Sequence, residues 1–145
     1  MLDWLRAWAR PVHQVVLVSS GASILGNRCW GAYALSKAAL NMLAKLSAHE
    51  FPHTHLCALA PCIIDTAIME YLCTRPDPQQ LPALQRLRDA RQSANMQGPH
   101  QAAKNLLAVL PQLRERPSGG LSISGKSSNP KHMRGCTTPD AEAAA

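Results

Sequence analysis

At 145 residues with 46% hydrophobic side chains, the chain is long enough for one packed domain and too apolar for a disordered polymer. Its net charge of +6 is spread from Arg6 and Arg10 through Lys45, Arg86, Arg88, Arg91, Arg114 and Arg116. Its aromatics are only three Trp, two Tyr and one Phe, which argues against a base-stacking nucleic-acid platform. Five cysteines without a Cys-x-x-Cys pair argue against a disulfide framework, and no apolar stretch approaches membrane-spanning length. Asp3, Arg6 and Arg10 interrupt the N-terminus, so it does not read as a signal peptide, and a reduced, cytoplasmic setting is expected.

Residues 1–10 are amphipathic, with Leu5 and Trp8 at helical spacing, and predict the end of a helix closed by Pro11. As a membrane-surface anchor the stretch is too short to bind strongly alone. Val15–Val18 is β-branched and apolar on both faces, as a buried parallel strand should be, and it stops at the turn residues Ser19-Ser20-Gly21. After a loop containing Asn27, Arg28, Cys29 and Trp30, a helix is predicted from about Ala32 to Glu50, ending before Pro52. Leu35, Ala39, Met42 and Leu46 form its expected core stripe, with Ala34, Ala38 and Ala48 small enough for close packing.

His53, His55 and Cys57 alternate along a strand and would share a face. They lack a fourth ligand at a familiar spacing, so a histidine-rich strand entrance is favoured over a metal site. The strand Leu56–Ala60 leads into Pro61-Cys62-Ile63-Ile64-Asp65-Thr66. Thr74–Gln80 reads as a loop, and Leu81–Gln92 as a helix with Leu84, Leu87 and Arg91 in phase. Gly98-Pro99 opens another helix, whose inner face is expected to be Ala102, Leu106, Leu107 and Leu110. Pro117-Ser-Gly-Gly and Leu121-Ser-Ile-Ser suggest a turn and a last strand, and residues 126–145 read as a polar, disordered tail.

Three side chains stand out for chemistry. Tyr33 and Lys37 are four apart, on one face of their helix, and Ser20 ends a strand thirteen residues before Tyr33. In open α/β sheets, that is where ligands bind. A phenol ordinarily ionises near pH ~10, and an ammonium one helical turn away favours the phenolate. A serine hydroxyl can hold a carbonyl oxygen against such a group, which makes a proton-transfer unit for carbonyl–alcohol interconversion. A tyrosine and lysine at this spacing are common by chance on exposed helix faces, so the surrounding order carries the argument.

That order is Val-Ser-Ser-Gly-Ala, then Tyr33-Ala-Leu-Ser-Lys37-Ala-Ala-Leu-Asn-Met-Leu, then Pro61-Cys-Ile-Ile-Asp-Thr66. It resembles the short-chain dehydrogenase/reductase family, in wording closest to the branch with sepiapterin and benzil reductases, over roughly residues 13–125. The resemblance implies an α/β fold, the C-terminal portion of a doubly wound Rossmann-type parallel sheet. The N-terminal nucleotide-binding half, with its glycine-rich turn and the family's catalytic asparagine, would then lie before Met1. Residues 1–125 would be a partial catalytic region.

The resemblance also implies NADP or NAD as cofactor, NADP favoured, and a small ketone, diketone or pteridine-type carbonyl as substrate. Tyr33 would be the general acid, Lys37 the cation beside it and a ligand of the nicotinamide ribose, and Ser20 the group orienting the substrate carbonyl. Pro61 would wall the ring, while the backbone near Ile64 and the Thr66 hydroxyl would hold the carboxamide. Cys62 replaces the family's glycine, where a side chain would crowd the cofactor. Trp30 would border the substrate or simply pack on the helix start, and Leu81–Gln92 would cover the substrate. The Ala32–Glu50 helix would pair in a homo-oligomer. The alternative is an inactive product or a pairing module that docks on a full-length reductase through that helix.

Overall fold

The apolar runs of the sequence form a parallel sheet. In the computed structural model, β1 (Gln14–Val18) pairs with β2 (His55–Ala60), and β2 with β3 (Leu121–Ile123), both in parallel. A two-residue β4 (Arg134–Gly135) joins β3 antiparallel, giving the spatial order β1-β2-β3-β4. The structure describes residues 2, 5–61, 63–75, 81, 83–93 and 96–124, and the backbone of 134–135. Apart from β4, the expected tail lies outside the described residues, as do Cys62 and most of the loop expected at Thr74–Gln80.

Helices cover both faces of the sheet. α1 (Gly31–Glu50) connects β1 to β2. Between β2 and β3 come α2 (Ala67–Thr74), α3 (Ala83–Gln92) and α4 (Pro99–Leu113). Side chains alternate across a strand, so neighbours on β2 enter different cores. Leu56 packs with Leu2, Leu5 and Phe51, flanked by Val15 and by Ala48 of α1. Cys57 and Leu59 pack with Leu113, flanked by Val16 and by Leu106, Val109 and Leu110 of α4. The doubly wound α/β expectation therefore holds. β2 is the central element, with Leu56, Ala58 and Ala60 wholly buried, whereas β1 is only half-buried.

The last strand is set by one glycine. Gly119 has φ +86°, and a Cβ there would lie 3.2 Å from the Lys45 backbone and 3.3 Å from the Ala48 side chain. Only glycine takes that conformation without strain while letting the turn lie on α1. Ser118 completes the junction, its hydroxyl accepting from Leu56 N at 3.0 Å.

Three packing expectations are corrected. Among the described residues of the first ten, Leu5 lies in a 3-10 turn, its N–H donating to Leu2 O at 2.9 Å, and residues 8–10 are not helical. Leu2 and Leu5 are buried, but Trp8 is exposed. In α4, Leu107 is exposed, and Val109 and Leu113 take its place inside. The third correction concerns α1, where Leu35, Met42 and Leu46 are 72%, 52% and 55% exposed and Ala39 is also exposed. The buried positions are Ala44 and Ser47, flanked by Lys37, Leu40, Asn41 and Ala48. At about 100° per residue, the expected stripe lies on the opposite side of the helix from Ala44. α1 approaches the sheet closely through small residues, so its bulky apolar row faces outward. No described helix is long and apolar enough to cross a membrane.

Candidate active site

β1 and β2 are parallel, so both end on the same side of the sheet, and the chain leaves each through a polar turn. After β1, the ladder runs one residue further, with Ser19 N donating to Leu59 O at 2.8 Å. Ser20 is extended and half-buried. It caps a 3-10 turn over Gly21–Ser23, its Oγ accepting from Ala22 N at 3.2 Å.

Tyr33 and Lys37 lie on the sheet-facing line of α1, which further along carries Ala44. At the N-terminal end that line runs past the strand ends. The same row that buries Ala44 therefore leaves Tyr33 45% exposed over the carboxyl ends of the strands. The Lys37 ammonium lies 5.8 Å from the centroid of the Tyr33 ring and donates to the Val18 carbonyl at 3.0 Å. Trp30 meets the other side of Tyr33 edge-on, with centroids 5.8 Å apart. Thus Tyr33 and Lys37 are direct neighbours, while Ser20 is joined to them through the backbone at Val18 and through a side-chain network.

Sequence reading missed that network. Ser19, 3% exposed, donates its hydroxyl to Asn41 Oδ1 at 2.6 Å, and Asn41 Nδ2 donates to Ser23 Oγ at 2.8 Å. Ser23 Oγ in turn donates to Ser20 O at 2.7 Å. Asn41 therefore ties the Ser20 turn to the helix that carries Tyr33 and Lys37. The available signal was its spacing, one further turn along the row 33–37–41.

At the exit of β2, Pro61 is half-buried, and the Ile64 backbone pairs with Gln97, with Asp65 N donating to Gln97 O at 3.0 Å. Thr66 caps α2, its hydroxyl accepting from Met69 N at 3.4 Å. Arg91 of α3 reaches Asp65 at 3.3 Å, fastening α3 to this segment. His55 Nε2 lies 3.0 Å from the Arg116 carbonyl, and among the described residues no three His, Cys, Asp or Glu side chains gather as a metal site. Burial pushes the Cys57 thiol up to about 11, which keeps it neutral and unreactive in the core.

Comparison with known proteins adds the family. The family model for short chain dehydrogenase matches residues 4–76. The chain belongs to the short-chain dehydrogenase/reductase family. It is 36% identical over 106 residues to a benzil reductase, (S)-benzoin forming, of Saccharomyces cerevisiae, covering 70% of this chain and 39% of that protein. Among solved structures it resembles the KRED1-Pglu enzyme, at TM-score 0.63 and 28% identity, covering 74% of this chain and 46% of the other. It also resembles a short chain dehydrogenase/reductase from Saccharomyces cerevisiae, at TM-score 0.62 and 29% identity, covering 77% and 45%. A 4-hydroxyisoleucine dehydrogenase complexed with NADH shares the fold at TM-score 0.59 and 17% identity. The chain spans less than half the length of the benzil reductase and of the first two of these structures.

Proposed function

We propose that this chain forms the substrate-side part of an NAD(P)-dependent reductase for a small ketone, diketone or pteridine-type carbonyl, with NADP the favoured cofactor. The observation that carries the reading is the Tyr33–Lys37 pair beside the end of β1, with the ammonium 5.8 Å from the phenol ring. Family membership and likeness to a benzil reductase support it.

The residues present suit the nicotinamide end of such a cofactor. Lys37 at the exit of β1 would bind the ribose. Pro61, the Ile64 backbone and the exposed Thr66 hydroxyl at the exit of β2 would flank the ring and its carboxamide. The sequence carries no glycine-rich turn to hold a pyrophosphate, so this chain alone should bind NADPH or NADH weakly. The bound cofactor would supply the hydride. Ser20 would donate to the carbonyl oxygen and fix its position. Tyr33 would deliver the proton to that oxygen, and Lys37 would stabilise the phenolate left behind.

The test uses a form that carries a glycine-rich half ahead of Met1. In it, Tyr33→Phe should lower kcat for a small diketone by about 10²–10⁴-fold, the usual worth of a positioned general acid. Cofactor affinity should hardly change, because the ring stays. Lys37→Ala should lose both rate and affinity, and Ser20→Ala mainly rate. Retention of most activity by Tyr33→Phe would remove tyrosine as the acid. A second reading, a module that docks on a full-length reductase or on its own copy through α1, is favoured by one observation, the outward row of Leu35, Met42 and Leu46. Diketone reduction by the form with the glycine-rich half supports the first reading, and its absence in a chain that light scattering shows to associate supports the second.

A further inference from the structure

Tyr33 is 45% exposed, so burial in a core does not set the direction of its ring. Two side chains of its own row flank it. Trp30 lies three residues before it and Lys37 four after, a spacing that puts all three on one helix face. The Trp30 ring stands 5.8 Å away at 74° to the Tyr33 ring, an edge-to-face pair, and the Lys37 ammonium lies 5.8 Å from the same ring. The phenol is thus bracketed along α1 by an indole and a cation.

The chain reaches this arrangement against local preference. Cys29, immediately before Trp30, has φ +65°, the left-handed region that a side chain disfavours. The nearby glycines, Gly26 and Gly31, do not take that conformation. Trp30 then occupies the cap position of α1 with no side-chain hydrogen bond, where serine, threonine, asparagine or aspartate would ordinarily satisfy a helix N–H. Its backbone is pinned on both sides, Trp30 N donating to Asn27 O at 3.3 Å and Ala34 N to Trp30 O at 2.8 Å. Such departures from local preference concentrate at functional sites, where the surroundings enforce them. What this loop delivers is an indole ring against the proposed acid.

We propose that Trp30 is a positioning residue for Tyr33, holding the phenol in a single side-chain rotamer for proton delivery. It acts through the ring of Tyr33 and not on the reacting atoms. A half-exposed phenol otherwise divides its time among staggered rotamers, and a donor displaced by a small distance loses much of its rate. The inference deepens the catalytic reading of Tyr33 and rests on it.

The test has one arm that needs no activity. In the 145-residue chain, three-bond couplings to the Tyr33 ring carbon should report one χ1 rotamer. Trp30→Ala should average them, and Trp30→Phe, which keeps a ring for the contact, should restore them. Trp30→Leu keeps apolar bulk at the helix start without a ring, so it should match Trp30→Ala and serves if alanine prevents folding. Couplings that still report one rotamer in Trp30→Ala or Trp30→Leu would overturn the proposal. The second arm uses the form that carries a glycine-rich half ahead of Met1. There Trp30→Ala should lower kcat for a small diketone by about 10–10²-fold while KM and cofactor affinity hold, and Trp30→Phe should recover most of the loss. A raised KM at unchanged kcat would make Trp30 a wall of the substrate site, and an unchanged kcat and KM would make it packing at the helix start. Either result overturns the proposal. A Tyr33→Phe enzyme that keeps its activity removes the catalytic reading itself, whereas an inactive Tyr33→Phe beside a fully active Trp30→Ala removes only this inference.

Discussion

The two sides of α1 obey opposite rules. Its sheet side is made mostly of small and polar groups, Ala44 and Ser47 with Asn41 and Ala48 beside the single Leu40, yet it is the buried one. Its outer side carries Leu35, Met42 and Leu46, and these are more than half exposed. The difference teaches that close approach, not bulk, selects the inner face here. Gly119 and Ala48 bring the last turn and the helix within van der Waals distance, and a leucine row would hold them apart. It also places the candidate site, because the small-residue line continues past the sheet as Tyr33 and Lys37.

The sharpest way to break the comparison is on the strand beneath the inner face. Leu56 is 0% exposed, so Leu56→Ala should cost about 2–5 kcal/mol, read from the denaturant midpoint. A loss of less than 1 kcal/mol would mean that the covered side is not packed. Next comes a pH effect on the sheet's other covered face. The Cys57 thiol is raised from 9.0 to about 11 in the folded chain, so its contribution is fully present below pH 9 and is lost as pH rises toward 11. That gap corresponds to a contribution on the order of a few kcal/mol. The wild type should therefore lose more stability than Cys57→Ala between pH 8 and pH 11, and parallel curves would refute it.

Ala44→Leu tests the close approach itself. Forcing a larger side chain under α1 should cost about 1–3 kcal/mol in thermal or chemical unfolding, although leucine is the more hydrophobic residue. Asn41→Ala should cost about 1–2 kcal/mol by removing the nearer acceptor of the buried Ser19 hydroxyl, leaving it the Lys37 carbonyl at 3.3 Å, and it should loosen the Ser20 turn in amide exchange. The smallest effect belongs to the outer row. Leu35→Gln, Met42→Gln and Leu46→Gln should each stay within about 0.5 kcal/mol for the unassociated chain while raising its solubility. A loss above 2 kcal/mol that depends on protein concentration would show that a partner covers this face.

Local chemistry made much of the molecule legible from sequence. Val15–Val18 read as a buried parallel strand because it is apolar on both faces, Leu56–Ala60 read as a strand, and Gly98-Pro99 marked the start of α4 because proline fits a first helical turn. The adjacency of Tyr33 and Lys37 followed from helix geometry alone, since four residues make about one turn. The tertiary structure decided what periodicity leaves open. A helix with two self-consistent rows does not say which one meets the sheet; the packed chain does, with a glycine turn more than seventy residues away lying against Lys45 and Ala48. The link from Ser19 through Asn41 to Ser23 was equally hidden, because those hydroxyls and that amide meet only after β1 and α1 have packed. The Lys37 bond to Val18 was hidden for the same reason. It depends on which strand edge is left open, a property of the sheet as a whole and not of any one segment.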